Sequence, residues 1–259
     1  MTGAVLDAMC KPSPSREREA YGTTSLAPTF LTGSMDAAHT ALTRGTFFGE
    51  GEGQNDMADE VDSEKANLRE ELTAKRRAMT PEVIDSRGLK VQSRFLATPY
   101  YSKARILALY APIRGEVPTS DILCAALADG KTVCYPLSHV RGRILSFRSI
   151  RSEGDLEPGR LGVREPTSAA ELVPIENIDI FVVPGLGFTR SGKRLGRGGG
   201  YYDFTLKAGP ENSRRVGLAF SEQMVDDLPA TENDVDMDLV VTELESFKGL
   251  AREPLHHDA

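Results

Sequence analysis

Between Val183 and Asp203 the chain reads Val-Pro-Gly-Leu-Gly-Phe-Thr-Arg-Ser-Gly-Lys-Arg-Leu-Gly-Arg-Gly-Gly-Gly-Tyr-Tyr-Asp, with seven glycines and four basic residues behind the apolar run Ile178 to Val183. Glycines let a backbone approach an anion and turn its N–H groups toward it. Arginines bring fixed forks of donors to phosphoryl oxygens, and an aspartate close by can hold a divalent cation. This is the make-up of a phosphate site. It is not a P-loop: Gly187 to Lys193 satisfies G-x-x-x-x-G-K, but Arg194 stands where that loop needs a hydroxyl for the metal. Gly196, Gly198, Gly199 and Gly200 would also cost the helix that must follow about 1 kcal/mol each relative to alanine. A dinucleotide fingerprint fails as well, because Arg190 occupies the place of its third glycine after Gly185-Leu-Gly187.

The elements that must hold this loop alternate along the chain. A helix is expected from an N-cap at Ser63 through Met79, with Leu68, Leu72 and Met79 on one face; Lys65, Arg69 and Arg76 form a basic stripe beside it, of a kind that is usually a solvated rim. Glu82 to Leu96 reads as a second helix. Strand patterns follow at Arg105–Tyr110, Thr132–Leu137, Ile144–Ile150, Ile178–Val183, Val216–Phe220 and Leu239–Thr242, and a helix capped by Thr119 and closed by Gly130 separates the first two of them. Near-continuous apolar strands between helices specify a single three-layer α/β domain, a largely parallel twisted sheet with helices on both faces. Ligands of such sheets bind beyond the carboxyl ends of the strands, where the loop after Val183 belongs.

Composition narrows the function. The 259 residues, 40% apolar, can furnish a proper core. A net charge of −7 makes the chain a poor general binder of nucleic acid, so the basic residues near 190–197 are local equipment. Cys10, Cys124 and Cys134 lack C-x-x-C spacing and the four histidines fit no zinc pattern; reduced thiols, no structural zinc and a cytosol-like compartment are expected. No run approaches the roughly 18 apolar residues of a membrane span. Residues 1–60 have no periodicity and read as a disordered extension, 61–247 as the domain and 248–259 as a flexible tail.

From Gly185-Leu-Gly-Phe through Lys193-Arg-Leu-Gly-Arg-Gly-Gly-Gly-Tyr-Tyr-Asp203 the chain resembles the 5-formyltetrahydrofolate cyclo-ligase (5,10-methenyltetrahydrofolate synthetase) family. Lys65-Ala-Asn-Leu-Arg69 with Lys75-Arg-Arg-Ala-Met79, Gly115-Glu-Val-Pro-Thr119, Leu161-Gly-Val-Arg-Glu-Pro166, Glu232-Asn-Asp-Val-Asp-Met-Asp238 and Thr242-Glu243 extend the likeness in family order over residues 63–245. The resemblance implies an ATP- and Mg²⁺-dependent closure of folinate (5-formyltetrahydrofolate) to 5,10-methenyltetrahydrofolate with release of ADP and phosphate. Its partners would be these small molecules only, no nucleic acid and no membrane, and the expected protein is a cytoplasmic monomer, with a mitochondrial location as the alternative. The implied roles put Lys65, Arg69, Arg194, Gly196, Arg197, Gly198, Gly199, Gly200 and Tyr201 on ATP, Asp203 and Asp234 on Mg²⁺, and Glu116, Leu145, Tyr201 and Tyr202 on the folate. Arg194, Arg197 and Tyr201 would serve the chemistry.

The chain departs from the family pattern at Gly199, where some members carry lysine, at Thr189 in place of aspartate and at Leu145 in place of methionine, and it has no tryptophan. Phosphate contacts would then rest on the arginines and Lys193. Two other readings compete: an α/β enzyme that uses no ATP, which has no need of Arg194, Arg197 and Asp203 together, and an RNA-binding arginine–glycine box at Gly196 to Tyr202, a motif that normally recurs but occurs once here.

Overall fold

The computed structural model describes residues 52–159 and 162–250. Helices α1 (Glu52–Arg77), α2 (Pro81–Leu96) and α3 (Pro99–Lys103) come first, followed by strand β1 (Ile106–Ala108), helix α4 (Ser120–Ala128) and strands β2 (Thr132–His139) and β3 (Ile144–Ser149). Then come β4 (Leu156–Pro158), β5 (Arg164–Pro166), β6 (Leu172–Val173), β7 (Ile180–Val183), β8 (Gly187–Phe188) and β9 (Arg194–Leu195). Helix α5 (Tyr201–Lys207) precedes β10 (Arg214–Leu218), β11 (Leu239–Val241) and β12 (Ser246–Lys248).

Eight strands form one sheet of order β12-β11-β10-β7-β1-β2-β3-β6. The run from β11 to β2 is parallel throughout, and β12, β3 and β6 add antiparallel edges. Alternation along the strands divides the core. Leu107, Val133, Ile180, Val182, Val216 and Val241 face a layer built from α2, α3 and α4, with Val91, Phe95 and Ile122 buried against them. Ala108, Cys134, Phe181, Val183 and Val240 face the other layer, where α5 contributes Leu206, β8 Phe188 and a loop Met237. The expected three-layer arrangement holds, with most of the helix on one side.

Several boundaries differ from the sequence reading for identifiable reasons. Helix α1 reaches back to Glu52, so Ser63 is an exposed residue inside it rather than its cap, and the helix occupies part of the expected 1–60 extension. No proline lies between 52 and 77, and each added residue gains a helical hydrogen bond. The helix ends at Arg77, and Met79 packs with the main core and not with Leu68 and Leu72. Thr80 caps α2 through a bond from the Val83 N–H, and Pro81 disfavours helical geometry in the residue before it. Thr119 precedes α4 as expected, but its hydroxyl donates to Tyr110 O; the Gln92 carboxamide oxygen, from α2, accepts from the N–H of Asp121 at 2.9 Å and of Ile122 at 3.3 Å and so does the capping. Strands β4, β5, β6, β8, β9 and β12 are two or three residues long, too short to show a period of two.

The ring of Phe188, fully buried on β8, lies flat on the Cα of Gly217 in β10; an added Cβ there would stand 2.5 Å from Phe188 Cε1. Gly217→Ala is therefore expected to cost about 1–3 kcal/mol by overpacking, which at roughly 2–4 °C per kcal/mol lowers the thermal midpoint by several degrees. An unchanged midpoint would show that the hairpin of β8 and β9 is free to shift.

Candidate active site at the strand switch point

Strands β1 and β7 are parallel neighbours, but the chain leaves β1 toward β2 and leaves β7 toward β10. Their following loops diverge and open a crevice at the carboxyl ends. A cleft of about 570 Å³ occupies it, and every residue given a substrate or metal role in the sequence lines it except Lys193.

Helix α1 lies along one wall. Lys65, Arg69 and Arg76 fall within about 40° of one another at 100° per residue, so they share a face, while Leu72, with Leu68 packed beside it, buries against Leu186, Leu195 and Leu228. The basic stripe is not a solvated rim: Lys65 is 6% and Arg76 3% exposed. Lys65 Nζ donates to Asp234 Oδ2 at 2.6 Å, and Arg69 Nε donates to Gly196 O at 3.0 Å. The first contact ties the helix to the loop before β11, the second to the glycine-rich segment.

That segment begins with the two-stranded hairpin of β8 and β9 and ends in α5. Gly198 and Gly200 adopt φ of +90° and +70°, a region other residues seldom enter, and the N–H groups of Gly198, Gly199 and Gly200 meet no acceptor among the described residues. Arg194 is buried: Nη2 donates to Asp203 Oδ1 at 2.6 Å, Nη1 to Pro184 O at 3.2 Å, and its Nε–H finds no acceptor among the described residues. Its guanidinium stands 6.0 Å from the ring centre of Tyr202. Lys193 stays outside the cleft, held by Asp227 Oδ1 at 2.6 Å and Leu228 O, so phosphate contacts cannot lean on it.

The carboxylates of Asp203 and Asp234 adjoin: Asp203 Oδ1 also accepts the N–H of Val235, the residue after Asp234. Asp234 Oδ2 receives Lys65 together with the Thr231 N–H and hydroxyl. Burial opposes ionisation of Asp234, but the Lys65 hydrogen bond and the Thr231 N–H outweigh it and hold the carboxyl below the usual aspartate range. Asp203 Oδ2 and Asp234 Oδ1 accept no bond among the described residues. Two hard oxygens facing a cleft suit Mg²⁺, which takes one or two carboxylates and completes its shell with phosphate and water.

At the opposite end the loop after β1 folds on itself. Tyr110 Oη donates to Val117 O, Arg114 and Gly115 both take positive φ, and the Ile113 N–H donates to Glu116 Oε2 at 3.0 Å. Glu116 Oε1 accepts from Arg197 Nη2 at 2.8 Å. Leu145 is buried in the cleft wall, and its N–H donates to Thr205 Oγ1, which fixes β3 against α5; Tyr201 and Tyr202 line the cleft half-buried.

Some contributors went unassigned in the sequence. Arg76 was visible in the stripe but carried no role; its Nη1 sits 3.6 Å from Glu116 Oε1 and reaches Gly185 O at 3.5 Å. Glu165, inside a family-like segment, is buried and accepts the Ser138 N–H, and Tyr110 and Arg143 also line the cleft. No local spacing marks these three: the β4–β5 hairpin brings in Glu165, the β2–β3 turn Arg143 and the loop after β1 Tyr110.

The crevice at the switch point of a doubly wound sheet is where α/β enzymes bind their ligands, and here it joins a basic, glycine-lined end to a buried glutamate. A sequence profile of the 5-formyltetrahydrofolate cyclo-ligase family matches residues 61–243, and the chain belongs to that family of ligases. It is 31% identical over 175 residues to the Escherichia coli K12 5-formyltetrahydrofolate cyclo-ligase, covering 66% of this chain and 96% of that one. The structure of Aquifex aeolicus 5,10-methenyltetrahydrofolate synthetase superposes with a TM-score of 0.63 at 33% identity, over 75% of this chain and 99% of that one. A 5,10-methenyltetrahydrofolate synthetase from Mycoplasma pneumoniae gives 0.57 at 25% identity, over 69% and 98%.

The lowered pKa of Asp234 makes a stability prediction whose sign is fixed. A carboxyl ionised more easily in the fold than in the unfolded chain, where aspartate titrates near ~3.9, stabilises above that pH and loses the contribution as pH falls through its folded value. The gap in thermal midpoint between wild type and Asp234→Asn is expected to be constant near neutrality and to close in acid below about pH 4. A gap that persists unchanged into acid would mean that the Lys65–Asp234 contact carries no charge-dependent stability.

Proposed function

We propose that the protein converts 5-formyltetrahydrofolate to 5,10-methenyltetrahydrofolate at the expense of ATP, with Mg²⁺ held by Asp203 and Asp234. The observation that carries this reading is the single cleft in which donor-rich glycine backbone, paired carboxylates and the buried Glu116 face one another. Glu116 suits the donor N–H groups of a pterin; Leu145 and the rings of Tyr201 and Tyr202 suit its faces. The Gly198–Gly200 N–H groups, Arg197, Arg69 and Lys65 suit a triphosphate.

In the reaction the formyl oxygen attacks the γ-phosphorus, the bond from phosphorus to the ADP oxygen breaks, and an iminium phosphate forms. N10 then attacks the formyl carbon and loses its proton, the carbon–oxygen bond breaks, and phosphate leaves. Such chemistry asks the protein for alignment and charge neutralisation more than for a covalent partner. Bound Mg²⁺ would neutralise phosphate charge. Arg194, engaged by Asp203 and Pro184, serves best by fixing the Asp203 carboxylate, which leaves Arg197, on its flexible glycine neighbours and 36% exposed in its side chain, as the guanidinium able to reach the transferring group.

Folinate, ATP and Mg²⁺ added to the purified protein are expected to produce the near-ultraviolet absorbance of the methenyl product, and omission of ATP to abolish it. No product under these conditions refutes the reading. Arg197→Ala is expected to fold normally by circular dichroism and to lose at least about 100-fold in kcat, since an arginine on a transferring phosphoryl group can be worth roughly 10³–10⁵. Near-normal turnover would assign the guanidinium to scaffolding.

A further inference from the structure

Glu116 is a buried cleft carboxylate, its side chain 7% exposed, and two arginines converge on the same oxygen. They differ in kind. Arg197 sits between glycines with its side chain 36% exposed and contacts Oε1 at 2.8 Å. Arg76 is 3% exposed, rises from α1 beneath the cleft, stands 3.6 Å from that oxygen and is tied by Nη1 to Gly185 O, so it touches the loops after both switch-point strands. A guanidinium that turns to phosphate leaves the carboxylate behind; a buried carboxylate with no counter-charge takes up a proton. A protonated Glu116 would present a hydroxyl where the pterin needs an acceptor.

We propose that Arg76 is a positioning residue for substrate binding, the permanent counter-charge that keeps Glu116 ionised and aimed into the cleft while Arg197 serves the nucleotide. The inference rests on the folinate reading given above for Glu116. The charged and titratable groups around Glu116 are Arg76 from α1, Arg197 from the glycine loop, Tyr110 from the loop after β1, Tyr202 from α5 and Arg114 on its own turn. Burial first, and the Glu116 charge next, push both tyrosine hydroxyls above their ordinary range, so they stay neutral. Burial also pushes Glu116 upward, and Arg197 and Arg76 pull it back. Loss of Arg76 therefore moves the Glu116 carboxyl further up, and folinate binding, which needs the ionised form, fades at a higher pH.

The test is the pH dependence of folinate affinity in the full chain, measured by titration with folinate alone, beside thermal midpoints. Arg76→Met is expected to move the acid limb of binding upward by about one pH unit, so that affinity falls roughly tenfold on the acid side and recovers at high pH. Affinity for a non-hydrolysable ATP analogue should stay unchanged, and Arg76→Lys should return the limb toward its original position. If Arg76→Met fails to fold, Arg76→Gln, which can keep the bond to Gly185 O without the charge, is read in its place. A limb that stays fixed while only the midpoint falls would make Arg76 mere scaffold and overturn the proposal. Glu116→Gln separates the two levels: if it removes the limb while the Arg76 variants leave it in place, the Arg76 proposal alone fails. If Glu116→Gln binds folinate like the wild type, the role of Glu116 fails with it.

Discussion

A carboxylate withdrawn from water must meet a cation or hydrogen-bond donors within a few ångströms, and removing one partner of a buried ion pair typically costs about 3–5 kcal/mol. Three cleft carboxylates do so with cations: Glu116 meets Arg197 and Arg76, Asp203 meets Arg194, and Asp234 meets Lys65, while the buried Glu165 accepts the Ser138 N–H. Each pairing joins segments that the sheet alone would leave apart. The α1 helix is held to the loop before β11, the loop after β1 to the glycine segment, and the hairpin of β8 and β9 to α5. The walls of the cleft are in this sense a set of charge contacts laid over a switch point supplied by the strands.

The same arrangement reconciles stability with ligand binding. A basic site for phosphate would repel itself if its cations stood alone; here Lys65, Arg194 and Arg197 each have an acidic neighbour, Arg69 leans on Gly196 O, and Asp203 and Asp234 each keep one oxygen that accepts no bond among the described residues. The backbone adds donors of its own, since Gly198 and Gly200 at positive φ belong to a segment whose N–H groups meet no acceptor among the described residues.

Much of this was legible in the residues. The glycine and arginine content after Val183 marks an anion site wherever it folds, and the long apolar strands with intervening helices fix the sheet class, because both signals are local. Lys65, Arg69 and Arg76 show the limit of periodicity: spacing put them on one face, but whether that face met water or a carboxylate depended on Asp234 and Glu116, far along the chain. Lys193 misled for the complementary reason, since its place in a basic run says nothing of Asp227, which draws it outward. Thr119 has the chemistry of a cap, but Gln92 from another helix reached the free N–H groups first.

Lys65 and Asp234 are 169 residues apart, and closing so long a loop is slow and entropically costly whatever its reward. At a synthesis rate of about 5–20 residues per second the partner of Lys65 is made roughly 10–30 s after it. Leu72 waits in the same way for Leu186, Leu195 and Leu228, all of them far along the chain. The helix that walls the cleft therefore gains its final contacts only after the loop before β11 has been made. On the ribosome it is an amphipathic segment awaiting its seat.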